Sequence, residues 1–184
     1  MDIKNNPFFN VYIGPMYGSK TTKLLCDIDR YTYKSKNIIA FKPNIDTRYS
    51  NSHIVSHTGA KFPANCIESA TEIYDFILKS TYDIIAVDEA FMINCIDEVL
   101  IDLYEKGYSI IVSSIQLSGE NKPFENIKNI LPWATKIEVC PAICTQCDND
   151  AYFTKAMFDM SKIETSIKVG NKEMYSPRCH KHCI

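Results

Sequence analysis

The sequence has no long hydrophobic run and no excess of positive charge, and these two absences narrow the choice of function before any motif is considered. No apolar stretch approaches the roughly 20 residues that a membrane-spanning helix needs, so no membrane partner is expected. Lysine and arginine number 20 against 22 acidic residues, a formal net charge of -2. Nonspecific nucleic-acid binding draws on a basic face, so no nucleic-acid partner is expected either. Residues Met1 to Asn10 are polar apart from the Phe8-Phe9 pair, too short an apolar piece for a secretory signal core. Internal repeats and low-complexity tracts are also missing. A cytoplasmic protein is the expectation, in a compartment where thiols stay reduced.

What is present suits a globular protein. The chain has 184 residues, 46% hydrophobic and 23% charged, enough apolar material for a core without disulfides. Its eight cysteines are unevenly spread. Cys26, Cys66 and Cys95 stand singly and are expected to be core thiols, while Cys140, Cys144, Cys147, Cys179 and Cys183 crowd the last quarter. An even number permits disulfides, but clustering at one end of an intracellular chain favours a metal.

Short apolar runs alternate with helical patterns. Phe8 to Ile13, Ile38 to Phe41, Ile84 to Val87 and Ile110 to Val112 read as buried strands, the first stopped by Gly14-Pro15. Ser19 to about Lys36, Ser69 to Leu78 and Ile96 to Glu105 read as helices, the last closed by Gly107. Lys42 to Lys61 is polar and predicts a loop or hairpin. Such alternation predicts an α/β fold, a parallel sheet with helices on both faces. Beyond Trp133 the character changes to cysteines and short strand-like pieces. The expected division is a nucleotide-binding domain over 1–139 and a small metal-binding domain over 140–184.

Gly14-Pro15-Met16-Tyr17-Gly18-Ser19-Lys20-Thr21 lies between the first strand and the first helix. In a phosphate-binding loop, backbone N–H groups and the helix N-terminus attract phosphates. A lysine placed like Lys20 reaches the outer phosphates, and a hydroxyl like Thr21 coordinates Mg2+. Ser19 stands where the usual pattern has glycine; if that position needs a positive φ, serine costs on the order of 1–2 kcal/mol. The plain alternative is a strand-to-helix turn that carries a lysine. Asp88-Glu89 ends a buried strand, where open α/β sheets bind ligands. Asp88 can hold Mg2+ through water while Glu89 accepts a proton from an attacking hydroxyl. The structural alternative is one capping acid and one solvated acid.

Cys144-x-x-Cys147 and Cys179-x-x-His182 form two knuckles whose combination suits a tetrahedral, structural Cys3His zinc site. Cys183 and His180 remain alternatives to His182. An appendage of some 40 residues has little core of its own and gains from such a staple.

Together these motifs resemble the thymidine kinase family, the zinc-containing type found in animals, bacteria and large DNA viruses, over nearly the whole chain from Val11 to His182. Gly14-Pro15-Met16 resembles that family's phosphate loop, Ile45-Asp46-Thr47-Arg48-Tyr49 its Asp-Thr-Arg loop, Val87-Asp88-Glu89 its catalytic acid strand, and Lys122-Pro123-Phe124 its Lys-Pro-Phe. The resemblance implies ATP and Mg2+ at Gly14–Thr21, Asp46, Arg48 and Asp88, with Glu89 as catalytic base. It implies a thymidine or deoxyuridine pocket bounded by Met16, Thr154 and a lasso loop carrying Ser166, Ile167, Lys168, Val169, Gly170 and Tyr175. It also implies a homo-oligomer, tetramer or dimer. Ser19, Phe91 in place of the family's glutamine, and a missing aromatic around Leu117–Glu120 depart from the pattern. They support a second reading, a catalytically impaired nucleotide-binding relative.

Overall fold

Six parallel strands form the central sheet, in the order β5-β2-β6-β7-β1-β8. In the computed structural model, which describes residues 6–46, 50–158 and 174–183, these are β1 (Phe9–Ile13), β2 (Ile38–Pro43), β5 (Asn65–Ile67), β6 (Ile84–Val87), β7 (Ser109–Ser114) and β8 (Lys136–Val139). A two-stranded hairpin, β3 (His53–Val55) and β4 (Lys61–Pro63), occupies the polar stretch read as loop or hairpin. The helices are α1 (Lys20–Thr32), α2 (Ile73–Ile77), α3 (Ile96–Glu105), α4 (Glu125–Ile130) and α5 (His180–Cys183). The last part adds β9 (Ala142–Ile143) paired with β10 (Asp150–Ala151), and β11 (Phe153–Ala156) paired with β12 (Tyr175–Arg178).

The period of two along each strand splits the core into two layers. On one face Tyr12, Ala40, Ile84, Ala86 and Ile111 pack with Leu24, Leu25 and Ile28 of α1. On the other, Val11, Ile85, Val87, Ile110 and Val112 pack with Ile96, Val99, Leu100 and Leu103 of α3 and with Ile127 and Ile130 of α4. Both faces of β6 and β7 are therefore covered, which is why those strands are continuously apolar in sequence.

Local chemistry sets several boundaries. Helix α3 buries Ile96, Val99, Leu100 and Leu103 at helical spacing and carries Asp97 and Glu98 in its first turn, where the helix dipole favours anions. Gly107, at φ 94, supplies the left-handed turn that ends it. Ser69 and Glu72 form a capping box on the 3-10 turn that leads into α2. Helix α1 is shorter than the expected Ser19–Lys36: it ends at Thr32, because a turn with Ser35 at φ 55 redirects the chain before β2. Strands β5 and β8 and helix α4 were not anticipated. Both strands lie at the sheet edges, and β8 keeps Ile137 47% exposed, so neither shows a buried apolar run.

The isolated thiols also differ from expectation. Cys26 and Cys95 are exposed and Cys66 is half-buried, while Cys140, one of the five late cysteines, is buried outside the Cys144, Cys147, Cys179 and His182 group. On α1, Cys26 falls on the solvent side of a helix whose apolar stripe is Leu24, Leu25 and Ile28.

Candidate active site and metal centre

The segment Gly14–Lys20 leaves β1 at its carboxyl end and turns into α1. Gly18 donates its N–H to the Pro15 carbonyl at 3.3 Å, and the buried Lys20 Nζ donates to the same carbonyl at 2.6 Å. The loop is thereby closed on itself, with the lysine amine at its centre. Ser19 adopts φ 58, so the position does require the left-handed region. Glycines are needed at 14 and 18 for a different reason: a Cβ at either would run into the backbone carbonyl oxygen of Cys140.

Asp88 directly follows β6 and is buried beside this loop. It accepts hydrogen bonds from Thr21 Oγ1, at 3.1 and 3.2 Å to its two oxygens, and from the Ser113 hydroxyl. Burial, reinforced by the neighbouring Glu89 charge, pushes the Asp88 carboxyl up to about 6, against the hydrogen bonds and the Lys20 charge that favour ionisation. Glu89 follows at φ 51, half-buried, and opens a tight 3-10 turn over Ala90–Met92. That turn is tied to β7, for Ser114 Oγ accepts the Phe91 N–H at 3.2 Å. The Phe91 ring itself is buried against Phe124, centroids 4.7 Å apart.

Ser113 and Ser114 escaped the sequence reading. Two hydroxyls closing the apolar run Ile110–Val112, at the carboxyl end of a central strand, were the available signal. Gln116, just beyond, holds a buried Oε1 with no hydrogen-bond partner among the described residues. Asp46 is buried after β2, its N–H donating to the Pro43 carbonyl at 3.1 Å. Arg48 lies outside the described residues.

Of the residues expected at the nucleoside, Met16 is half-buried against the main core, and its N–H donates to Thr154 Oγ1 at 3.0 Å. Tyr175, on β12, is buried with its ring 5.4 Å from that of Phe158. Ser166, Ile167, Lys168, Val169 and Gly170 lie outside the described residues.

The terminal knuckles converge. Cys144, Cys147, Cys179 and His182 bring their ligand atoms within 4.8 Å of one another. His182 Nδ1 lies 3.3 Å from Cys179 Sγ and 3.6 Å from Cys144 Sγ, and the sulfurs of Cys147 and Cys179 are 3.5 Å apart. Zinc–sulfur bonds of about 2.3 Å set a tetrahedron with edges just under 4 Å, and the donor set fits it. The alternatives sit elsewhere: Cys183 Sγ donates to Asn121 Oδ1 at 3.4 Å, and the His180 ring packs near Phe153 at 6.2 Å.

A parallel sheet with a glycine-bearing loop between β1 and α1, and an acidic pair ending β6 beside it, defines a P-loop-type α/β protein. A family profile described as thymidine kinase matches residues 8–183. The chain is 35% identical over 173 residues to a thymidine kinase of Mycoplasma genitalium, covering 94% of this chain and 81% of the relative. It is 31% identical over 183 residues to one of Thermococcus kodakarensis, covering 95% and 93%. A Mesoplasma florum thymidine kinase is 31% identical over 177 residues, covering 90% and 86%. The chain belongs to the thymidine kinase family.

Proposed function

We propose that this protein is a thymidine kinase, transferring the γ-phosphate of ATP to the 5′-hydroxyl of thymidine or deoxyuridine and releasing dTMP and ADP. The observation that carries this reading is the meeting of Lys20, Thr21, Asp88 and Glu89 at one end of the sheet, with Thr21 bonded to Asp88. A catalyst of phosphoryl transfer works by position and charge, and these groups supply both.

In this reading the backbone N–H groups of Gly14–Thr21 and the Lys20 amine cradle the phosphates. Asp46 and Arg48 serve the same side. Thr21, and Asp88 through water, would hold Mg2+, whose charge would neutralise the phosphate oxygens. The Asp88 carboxyl, its proton affinity raised by burial, would take its ionised form beside such a cation. Glu89 takes the proton from the nucleoside hydroxyl. Met16, Thr154, Tyr175 and the Ser166–Gly170 stretch enclose the nucleoside, excluding water that would otherwise consume ATP. The Cys144, Cys147, Cys179 and His182 quartet holds zinc in a structural role. Residues 1–139 form the nucleotide-binding part and 140–184 the zinc-binding part of a cytoplasmic homo-oligomer, dimer or tetramer.

The test is ATP-dependent phosphorylation of labelled thymidine by the purified protein. Glu89→Gln should lower turnover by roughly two to four orders of magnitude, the usual range for losing a general base, with ATP binding retained. A folded, metal-loaded protein that binds ATP yet phosphorylates neither nucleoside would sink the proposal.

A further inference from the structure

The phosphate loop carries two non-glycine residues in the left-handed region, Tyr17 at φ 67 and Ser19 at φ 58. L-residues resist that conformation, and it persists where the surroundings over-determine it. Three contacts from residues 140–179 do so here, beside the approach of the Tyr17 ring to His57, centroids 5.6 Å apart. Thr154 Oγ1, on a side chain 3% exposed, accepts the Met16 N–H at 3.0 Å. The Tyr17 ring packs on the small cluster of Ala142, Cys144, Ala151 and Cys179. The Cys140 carbonyl abuts Gly14 and Gly18, and the Cys140 N–H is itself tied to the Ile13 carbonyl at 2.7 Å. The loop is thus pinned from outside the sheet, by the same segment that bears the cysteine ligands.

We propose that Thr154 and Tyr17 are positioning residues for the phosphate loop, through which the cysteine-bearing segment sets the affinity for ATP. The inference rests on the kinase reading for its ligand. It gives Thr154 a role beyond enclosing the nucleoside, since its hydroxyl oxygen accepts a hydrogen bond from the loop backbone. Tyr17 acts through packing, inserting its ring among residues that include two metal ligands, Cys144 and Cys179. Held at Met16 and Tyr17, the chain enters Gly18, Ser19 and α1 along one path, and Lys20 is carried to the loop's centre.

The experiment uses the full-length, metal-loaded protein and the variants Thr154→Val, Thr154→Ser and Tyr17→Ala, each checked for metal content. Hydrogen exchange is followed in the loop peptide, together with equilibrium ATP binding and separate KM values for ATP and thymidine. Thr154→Val removes the acceptor at constant volume. It should speed loop exchange and weaken ATP binding roughly tenfold, the scale of an unsatisfied buried N–H, a loss at least as large as any change in the thymidine KM. Thr154→Ser should restore both. Tyr17→Ala should act in the same direction; should it lose metal, Thr154→Val alone decides. Unchanged loop exchange in Thr154→Val overturns the inference, as does a rise in the thymidine KM alone. Wild-type protein that binds no ATP overturns the kinase reading and the role in ATP affinity, while the exchange data decide the pinning itself.

Discussion

The sheet and the cysteine-bearing segment stand on different physics. Around β1, β2, β6 and β7 large apolar side chains fill both faces, with Phe9, Val11, Phe41, Ile85, Val112 and Leu100 at 0% exposure on one and Leu24 and Ile111 at 0% on the other. Among the described residues, the last segment's own core is Ala142, Cys144, Ala151 and Cys179, and two of these four belong to the quartet whose donor atoms fit a metal. Burial at roughly 25 cal/mol per Å² sustains the first. It cannot sustain the second, where two alanines and two cysteines offer little apolar area. The comparison teaches where each kind of residue is put: the acids and the lysine sit on the part held by its own core. The groups that brace the phosphate loop sit on the part that needs a staple.

Stripping the metal is the sharpest way to break this contrast. Chelation should unfold residues 142–158 and 174–183 while β6, β7 and α3 keep their exchange protection, since a structural zinc contributes on the order of 10 kcal/mol to such a module. Exchange mass spectrometry checks it; loss of protection in the sheet at the same chelator concentration would show that the two parts are not separable in this way. Leu100→Ala works from the other side. Leu100 is fully buried between α3 and the sheet, and its truncation should lower stability by roughly 2–5 kcal/mol. Urea unfolding reads that change, and metal affinity should not move.

Asp83 provides the smallest effect. Burial raises its carboxyl, but the Asn37 N–H and the Lys36 amine, 3.0 Å away, lower it further, so its folded value lies below the ordinary carboxylate range. A depressed carboxylate stabilises the fold above its unfolded pKa, near 3.9, and loses that contribution as pH falls through the folded value. The pair is about one-third exposed, so screening leaves on the order of a few tenths of a kcal/mol. Wild type and Asp83→Asn should therefore differ slightly in stability at pH 6 and converge only as pH falls below the depressed folded value. A difference that persists in acid would assign the effect to packing instead.

Much of this was legible in the chain itself. Ile96–Glu105 and Ile84–Val87 match the expected helix and strand end to end, because their periodicity and their Gly107 and Asp88-Glu89 stops are local signals. The metal quartet was legible for the same reason, each half being a three-residue spacing. Thr154 meeting Met16 was not, for that bond spans 138 positions. Nor were Ser113 reaching across from β7 to Asp88, or the Cys140 carbonyl against Gly14 and Gly18. Such contacts depend on which strands become neighbours.

The sequence by itself determined the class of protein: apolar periodicity demands a sheet covered on both faces, and the loop, the acidic pair and the Cys3His spacing are chemistry written in short stretches. Tertiary structure decided which groups surround those stretches. The exposure of Cys26 and Cys95, the left-handed Ser19, and the bracing of the loop by Thr154 and Tyr17 follow from packing between distant segments. A residue's local neighbours do not encode that packing; the order β5-β2-β6-β7-β1-β8 and the fold of the last segment against β1 do.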